Sequence, residues 1–198
     1  MTTRRLAIAV AILAVAVLLG GAALLARYSG SGGESETVDI GGPFTLTAAD
    51  GRTVTEQDLL GHPSLIFFGF TFCPDVCPST MSEIARGLEE LGPEGEALQV
   101  YFVTVDPARD TPEMLGEYTA YFSPRIVALA GTPEQTAEVA AAYKVYYKRI
   151  ELEDGDYLMD HTAAVYLMDG GGRFFDAITF QATPEEAVAK LRRLIDAS

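Results

Sequence analysis

Two kinds of apolar pattern run along this chain. The first is unbroken: Leu6 to Ala26 is 21 residues without a charge, flanked by Arg4, Arg5 and Arg27. The second begins near Val38 and switches between strand-like and helix-like spacing. Phe44-Thr-Leu-Thr47 alternates as a half-buried strand does, and Asp50-Gly51 marks a hairpin turn after it. Ser64 to Phe70 is almost continuously apolar, as in a strand buried on both faces. Pro78 suits the first turn of a helix, and Met81, Ile84, Ala85, Leu88 and Leu91 follow at helical spacing. Leu98 to Val105 predicts a second buried strand. Thr111-Pro-Glu-Met opens a helix reaching about Phe122, and Ile126 to Ala130 predicts a strand. Thr132-Pro-Glu-Gln135 starts a further helix with a capping-box pattern. Tyr146 to Glu153 reads as an extended arm. Ala163 to Met168 and Arg173 to Phe180 predict two strands around Gly170-Gly-Gly172. Ala187, Val188, Leu191, Leu194 and Ile195 form the buried stripe of a closing helix. Strands alternating with helices imply one α/β domain, a mixed central sheet flanked by helices on both faces.

The unbroken run is close to the ~20 residues a helix needs to span a bilayer. A cleavable signal peptide usually has a shorter apolar region of about 7–15 residues and a small-residue cleavage site, and no clear site follows here. The expectation is therefore a transmembrane signal anchor over residues 1–27, with a cleaved signal or a lipid-anchored form as the alternative. Basic residues before the span and Glu34, Glu36 and Asp39 after it place the N-terminus in the cytoplasm. The rest then lies on the periplasmic or extracytoplasmic side of the plasma (inner) membrane. Residues 28–37 are a Gly/Ser linker without packing side chains. The third segment, 38–198, is the folded domain.

Composition narrows the function classes. The 198 residues carry a net charge of −14, which argues against a general nucleic-acid binder, since that needs a basic surface. With Arg4, Arg5 and Arg27 set aside, 11 basic residues face 28 acidic ones, a charge of −17. A hydrophobic fraction of 48% excludes a disordered chain, and two cysteines exclude a disulfide scaffold.

Both cysteines lie in Phe70-Thr-Phe-Cys-Pro-Asp-Val-Cys-Pro78, between the central strand and its helix. Ligands commonly bind at the carboxyl end of strands in α/β sheets. A helix N-terminus lowers a thiol pKa, and Pro74 and Pro78 restrict the loop. Three readings of Cys73 and Cys77 stand side by side. A structural disulfide would close a loop of few residues and stabilise little. A redox-active dithiol is the second reading, although its common spacing is C-x-x-C. Two soft ligands for a metal are the third. A metal needs a further donor, and there are two histidines. His62 precedes the central strand, at the opposite end of the sheet from Cys73. His161, in Met159-Asp-His-Thr162, sits at the start of a predicted strand. Met159 and Met168 are thioether candidates that also suit core packing. Two thiolates and an imidazole suit copper, as Cu(I) or Cu(II), whereas structural zinc usually takes four ligands. Asp75, Asp106 and Asp110 are candidate second-sphere or docking residues, with turn or capping roles as the alternative.

The stretch Leu65 to Pro78 closely resembles the Sco/SenC family of copper proteins. So do Phe102-Val-Thr-Val-Asp-Pro-Ala-Arg-Asp-Thr-Pro112, Ala130-Gly-Thr-Pro-Glu-Gln135 and Asp160-His-Thr-Ala-Ala-Val-Tyr-Leu-Met-Asp169, in order along the chain. The resemblance implies a thioredoxin-like fold binding one copper through Cys73, Cys77 and His161. It implies a metallochaperone that delivers copper to the CuA centre of cytochrome c oxidase. The partner would be the copper-bearing subunit of that oxidase or another copper carrier. The alternative is a membrane-anchored thiol–disulfide oxidoreductase that keeps recipient cysteines reduced, with Cys73 and Cys77 redox-active. A copper or redox sensor is a third role. A thioredoxin-type oxidoreductase is expected to carry a proline before the strand facing its dithiol, where this chain has Asp160-His161-Thr162. Asp169-Gly-Gly-Gly172 lacks a proline often found after that aspartate, which is expected to alter a turn and not the ligands.

Overall fold

The computed structural model describes residues 39–153 and 155–198. The predicted anchor and linker lie outside the described residues, and among these no helix is long and apolar enough to cross a membrane. In chain order the strands are β1 (Thr45–Ala48), β2 (Thr53–Thr55), β3 (Ser64–Gly69), β4 (Gln99–Thr104), β5 (Ile126–Ala130), β6 (Tyr147–Glu151), β7 (Tyr157–His161), β8 (Ala164–Met168) and β9 (Phe174–Thr179). The helices are α1 (Val76–Leu91), α2 (Pro112–Phe122), α3 (Pro133–Ala142) and α4 (Pro184–Asp196).

Seven strands form one mixed sheet in the order β2-β1-β5-β4-β3-β8-β9. β3, β4 and β5 are parallel, while β1 and β8 join them antiparallel. The apolar run of β3 is buried at every position, as expected of a strand with neighbours on both edges. Phe67, Phe68, Phe102 and Leu167 from β3, β4 and β8 fill the centre of the core. The stripe of α4 buries Val188, Leu191 and Leu194, each worth about 1.5–3 kcal/mol of apolar transfer. Helices α2, α3 and α4 each start with Pro after a Thr whose hydroxyl accepts an N–H of the first turn.

Two expectations need correction. Helix α1 begins at Val76, so Cys77 lies inside its first turn instead of just before it. The arm over residues 146–153 contains β6, which pairs with a strand the sequence pattern does not reveal, β7. His161 therefore ends β7 and does not open β8. The Gly170–Gly172 turn is held by Asp169, whose carboxylate accepts from the backbone N–H groups of Gly171 and Arg173.

Candidate metal centre

Three elements deliver the three donors. β3 ends at Gly69, and the loop after it turns Cys73 back over the start of α1. The helix N-cap, Asp75, makes no side-chain cap hydrogen bond. The Cys73 sulfur does that work instead, accepting the backbone N–H of Cys77 at 3.3 Å. A free helix N–H and the positive end of the helix thus both face that sulfur.

Cys77 is fully buried, its sulfur seated against β3. A Cβ at position 69 would stand 2.9 Å from that sulfur and 2.8 Å from a ring carbon of Phe102. Only glycine at the end of β3 leaves this space. The two cysteines are unbonded thiols.

His161 enters from the β6–β7 ribbon, paired with Tyr147 and flanked edge-on by the rings of Phe67 and Phe70. Its Nδ1 lies 3.1 Å from the carbonyl oxygen of Thr162. A carbonyl only accepts, so Nδ1 carries a proton there, and Nε2 faces the sulfurs. Nε2 stands 3.5 Å from the Cys77 sulfur. Thr162 is itself fixed, accepting the Tyr146 N–H with its hydroxyl and donating its own N–H back to the Tyr146 carbonyl.

The donor atoms of Cys73, Cys77 and His161 all lie within 4.8 Å of one another. With thiolate and imidazole bonds of ~2.0–2.3 Å, three donors around one ion lie about 3.6–4.0 Å apart, so the cluster closes by no more than about 1 Å at any pair to hold a metal. Among the described residues no fourth His, Cys, Asp or Glu joins the group. This soft, three-donor set is short of structural zinc's usual four.

The two thiols are electrostatically unequal. The Cys77 S–H donating to Cys73 is the largest influence pulling the Cys73 thiol down to about 4; the His161 ring and backbone N–H groups add to it, against burial. Cys77 is pushed well above the usual thiol range by that same hydrogen bond, by burial and by the charge on Cys73. The pair thus holds one negative charge and one proton at neutral pH.

The remaining candidates separate. His62 is exposed before β3, at the far end of that strand from the sulfurs. Met168 pairs with Ser64 at the same far end and is wholly buried, and Met159 packs against the core. Asp75 is exposed and stands outside the donor group. Asp106 and Asp110 are both 3% exposed and structural. Asp110 accepts from the Thr71 backbone N–H and from the hydroxyls of Thr71 and Thr104, tying the cysteine loop to the end of β4. Burial pushes its carboxyl up, against the Thr hydrogen bonds. Asp106 accepts from the Tyr157 hydroxyl at 2.9 Å and pairs with Arg109. Sequence reasoning assigned no role to Gly69, Thr71, Arg109 or Tyr157. An i,i+3 Asp106–Arg109 spacing was the one local signal, while Tyr157 is 51 positions from Asp106.

The SCO1/SenC family model matches residues 32–196. The chain belongs to the SCO1/SenC family. It is 40% identical over 163 residues to the protein SenC of Rhodobacter capsulatus, covering 82% of this chain and 74% of SenC. It is 44% identical over 131 residues to the mitochondrial SCO1 homolog 1 of Arabidopsis thaliana, covering 65% of this chain and 39% of that longer protein. The copper-bound structure of Bradyrhizobium japonicum ScoI superposes with a TM-score of 0.73 at 47% identity, covering 78% of this chain and 99% of that one. The fold of this family member is accordingly mixed α/β and thioredoxin-like.

Proposed function

We propose that this chain is a copper metallochaperone. It binds one copper ion through Cys73, Cys77 and His161 and delivers it to the CuA centre during cytochrome c oxidase assembly. The observation that carries this reading is the convergence of two sulfurs and one imidazole nitrogen within 4.8 Å. ScoI of Bradyrhizobium japonicum, 47% identical, is a copper-bound structure, which supports copper as the ion. Thiolate and imidazole donors match copper's preferences, and three donors leave room for a recipient's ligand to join before another leaves. The tethering of residues 38–198 by a linker over 28–37 and an anchor over 1–27 fits delivery at a membrane surface. Its placement would be a single-pass protein with the domain on the extracytoplasmic side.

The second reading, a thiol–disulfide oxidoreductase, draws on the low pKa of the partly exposed Cys73 beside a second thiol. The experiment that separates them mixes copper-loaded chain with the reduced, metal-free copper-bearing subunit domain of the oxidase and follows the CuA absorption. Delivery predicts CuA formation by the wild type and none by His161→Ala. A reductase predicts that metal-free wild type and His161→Ala reduce the oxidised recipient equally well. The second outcome without the first would overturn the chaperone reading.

A further inference from the structure

The ribbon that carries His161 has little to hold it in place. It is two strands long, and an isolated pair of strands is marginally stable in water. Four of the five β6 residues are exposed, and Tyr157 is the one buried position of β7. Tyr157 and His161 lie on the same face of β7, one at each end, since side chains alternate along a strand. Pinning Tyr157 therefore pins the far end of the strand whose near end meets the sulfurs.

Arg109 supplies the pin. Its guanidinium carbon lies 3.5 Å from the Tyr157 ring centroid and 4.5 Å from that of Phe72, the neighbour of Cys73. Its Nε pairs with Asp106 at 2.7 Å and its Nη1 with Asp156, the residue before β7, at 3.0 Å. Arg149 of β6 packs 3.6 Å from the Tyr157 ring, so guanidinium, phenol ring and guanidinium form one stack. Nη2 of Arg109 is buried without a hydrogen-bond partner among the described residues. The side chain is half-buried, and the stack and ion pairs offset the desolvation of that one nitrogen.

We propose that Arg109 is a positioning residue for the metal site. By joining the cysteine loop at Phe72 to the ribbon at Tyr157 and Asp156, it sets where His161 stands relative to Cys73 and Cys77. The inference rests on the copper-site reading above.

The test is a four-variant cycle in the full chain: wild type, Arg109→Gln, His161→Ala and the double variant. Copper(I) affinity is read by competition with a chromophoric chelator. Arg109→Gln is expected to weaken binding by about 10–100-fold, the range for groups that orient a ligand from behind. In the His161→Ala background it is expected to change nothing, because the group it positions is gone. Equal losses in both backgrounds, or no loss in either, overturn the positioning role. Arg109→Lys keeps the charge beside Asp106 but lacks the flat fork, and is expected not to restore the affinity; full restoration overturns the stacking argument. If affinity does not depend on His161 at all, the copper-site reading is what fails. The latch is then judged in the metal-free protein by amide exchange of Tyr157–His161. That exchange should quicken about tenfold or more in Arg109→Gln while α4 keeps its protection; unchanged exchange overturns the latch.

Discussion

At the residue scale the two cysteines of the three-donor site differ in what they hold at neutral pH. Cys73 titrates at about 4 because its sulfur takes hydrogen bonds from the Cys77 thiol and from backbone N–H groups. Above that pH it is a thiolate, while Cys77 keeps its proton beside the Cys73 charge. Loading one copper onto both sulfurs therefore displaces one proton, from Cys77, where two ordinary thiols of pKa near ~8.5 would release about two. Titration calorimetry in buffers of different ionisation enthalpy counts these protons at pH 7. A count near two contradicts the unequal pair. The cysteine pair and His161 were legible as residues because a dithiol loop and a histidine motif are local strings. Their inequality was not, since it depends on which sulfur faces the helix N–H and which is sealed under β3. The aspartates show the same limit. Asp106 and Asp110 were visible as strand-end residues, but their partners Tyr157 and Thr71 are reached only through the fold.

At the element scale the junction of β3 and α1 is the rigid part of the site. The missing side chain at Gly69 leaves room for the Cys77 sulfur, with 2.9 Å to a would-be Cβ. Gly69→Ala is expected to displace that sulfur, costing about 1–3 kcal/mol of stability as overpacking does. Alkylation of Cys77 in the metal-free protein should rise with it, read by peptide mass mapping. An unchanged melting temperature together with a protected Cys77 would contradict the seating of this sulfur. Most elements could be read from the sequence pattern: β3 from its apolar run, α3 from its Thr-Pro start with a Gln three residues on, α4 from its apolar stripe. The start of α1 could not, because its cap is the Cys73 sulfur, four residues before the N–H it accepts, and Pro78 was the only conventional marker. Strand β7 escaped as well. Its sequence, Tyr157-Leu-Met-Asp-His161, is mixed in polarity, and its partner β6 is mostly exposed, so neither alternation nor an apolar run announces the pair.

At the scale of the whole molecule, a folded domain is joined to an apolar run of 21 residues that the sequence reads as an anchor. The charge asymmetry about that run predicts an outward-facing domain. An alkaline phosphatase fused to the C-terminus should be active in a bacterial host and sediment with the membrane fraction. An inactive fusion, or one active but released to the soluble fraction, contradicts the anchored orientation. The acidic domain suits attraction of a cation before docking, although most of those carboxylates are simply solvated. Copper binding requires three side chains, two from one loop and helix and one from a ribbon 84 positions later, to act as a single metal site. Copper content after dialysis, measured for wild type, Cys73→Ser, Cys77→Ser and His161→Ala, tests this most directly. One copper per wild-type chain is expected, with loss of stable binding in every variant. Retention of one copper by His161→Ala, with wild-type affinity, would contradict it.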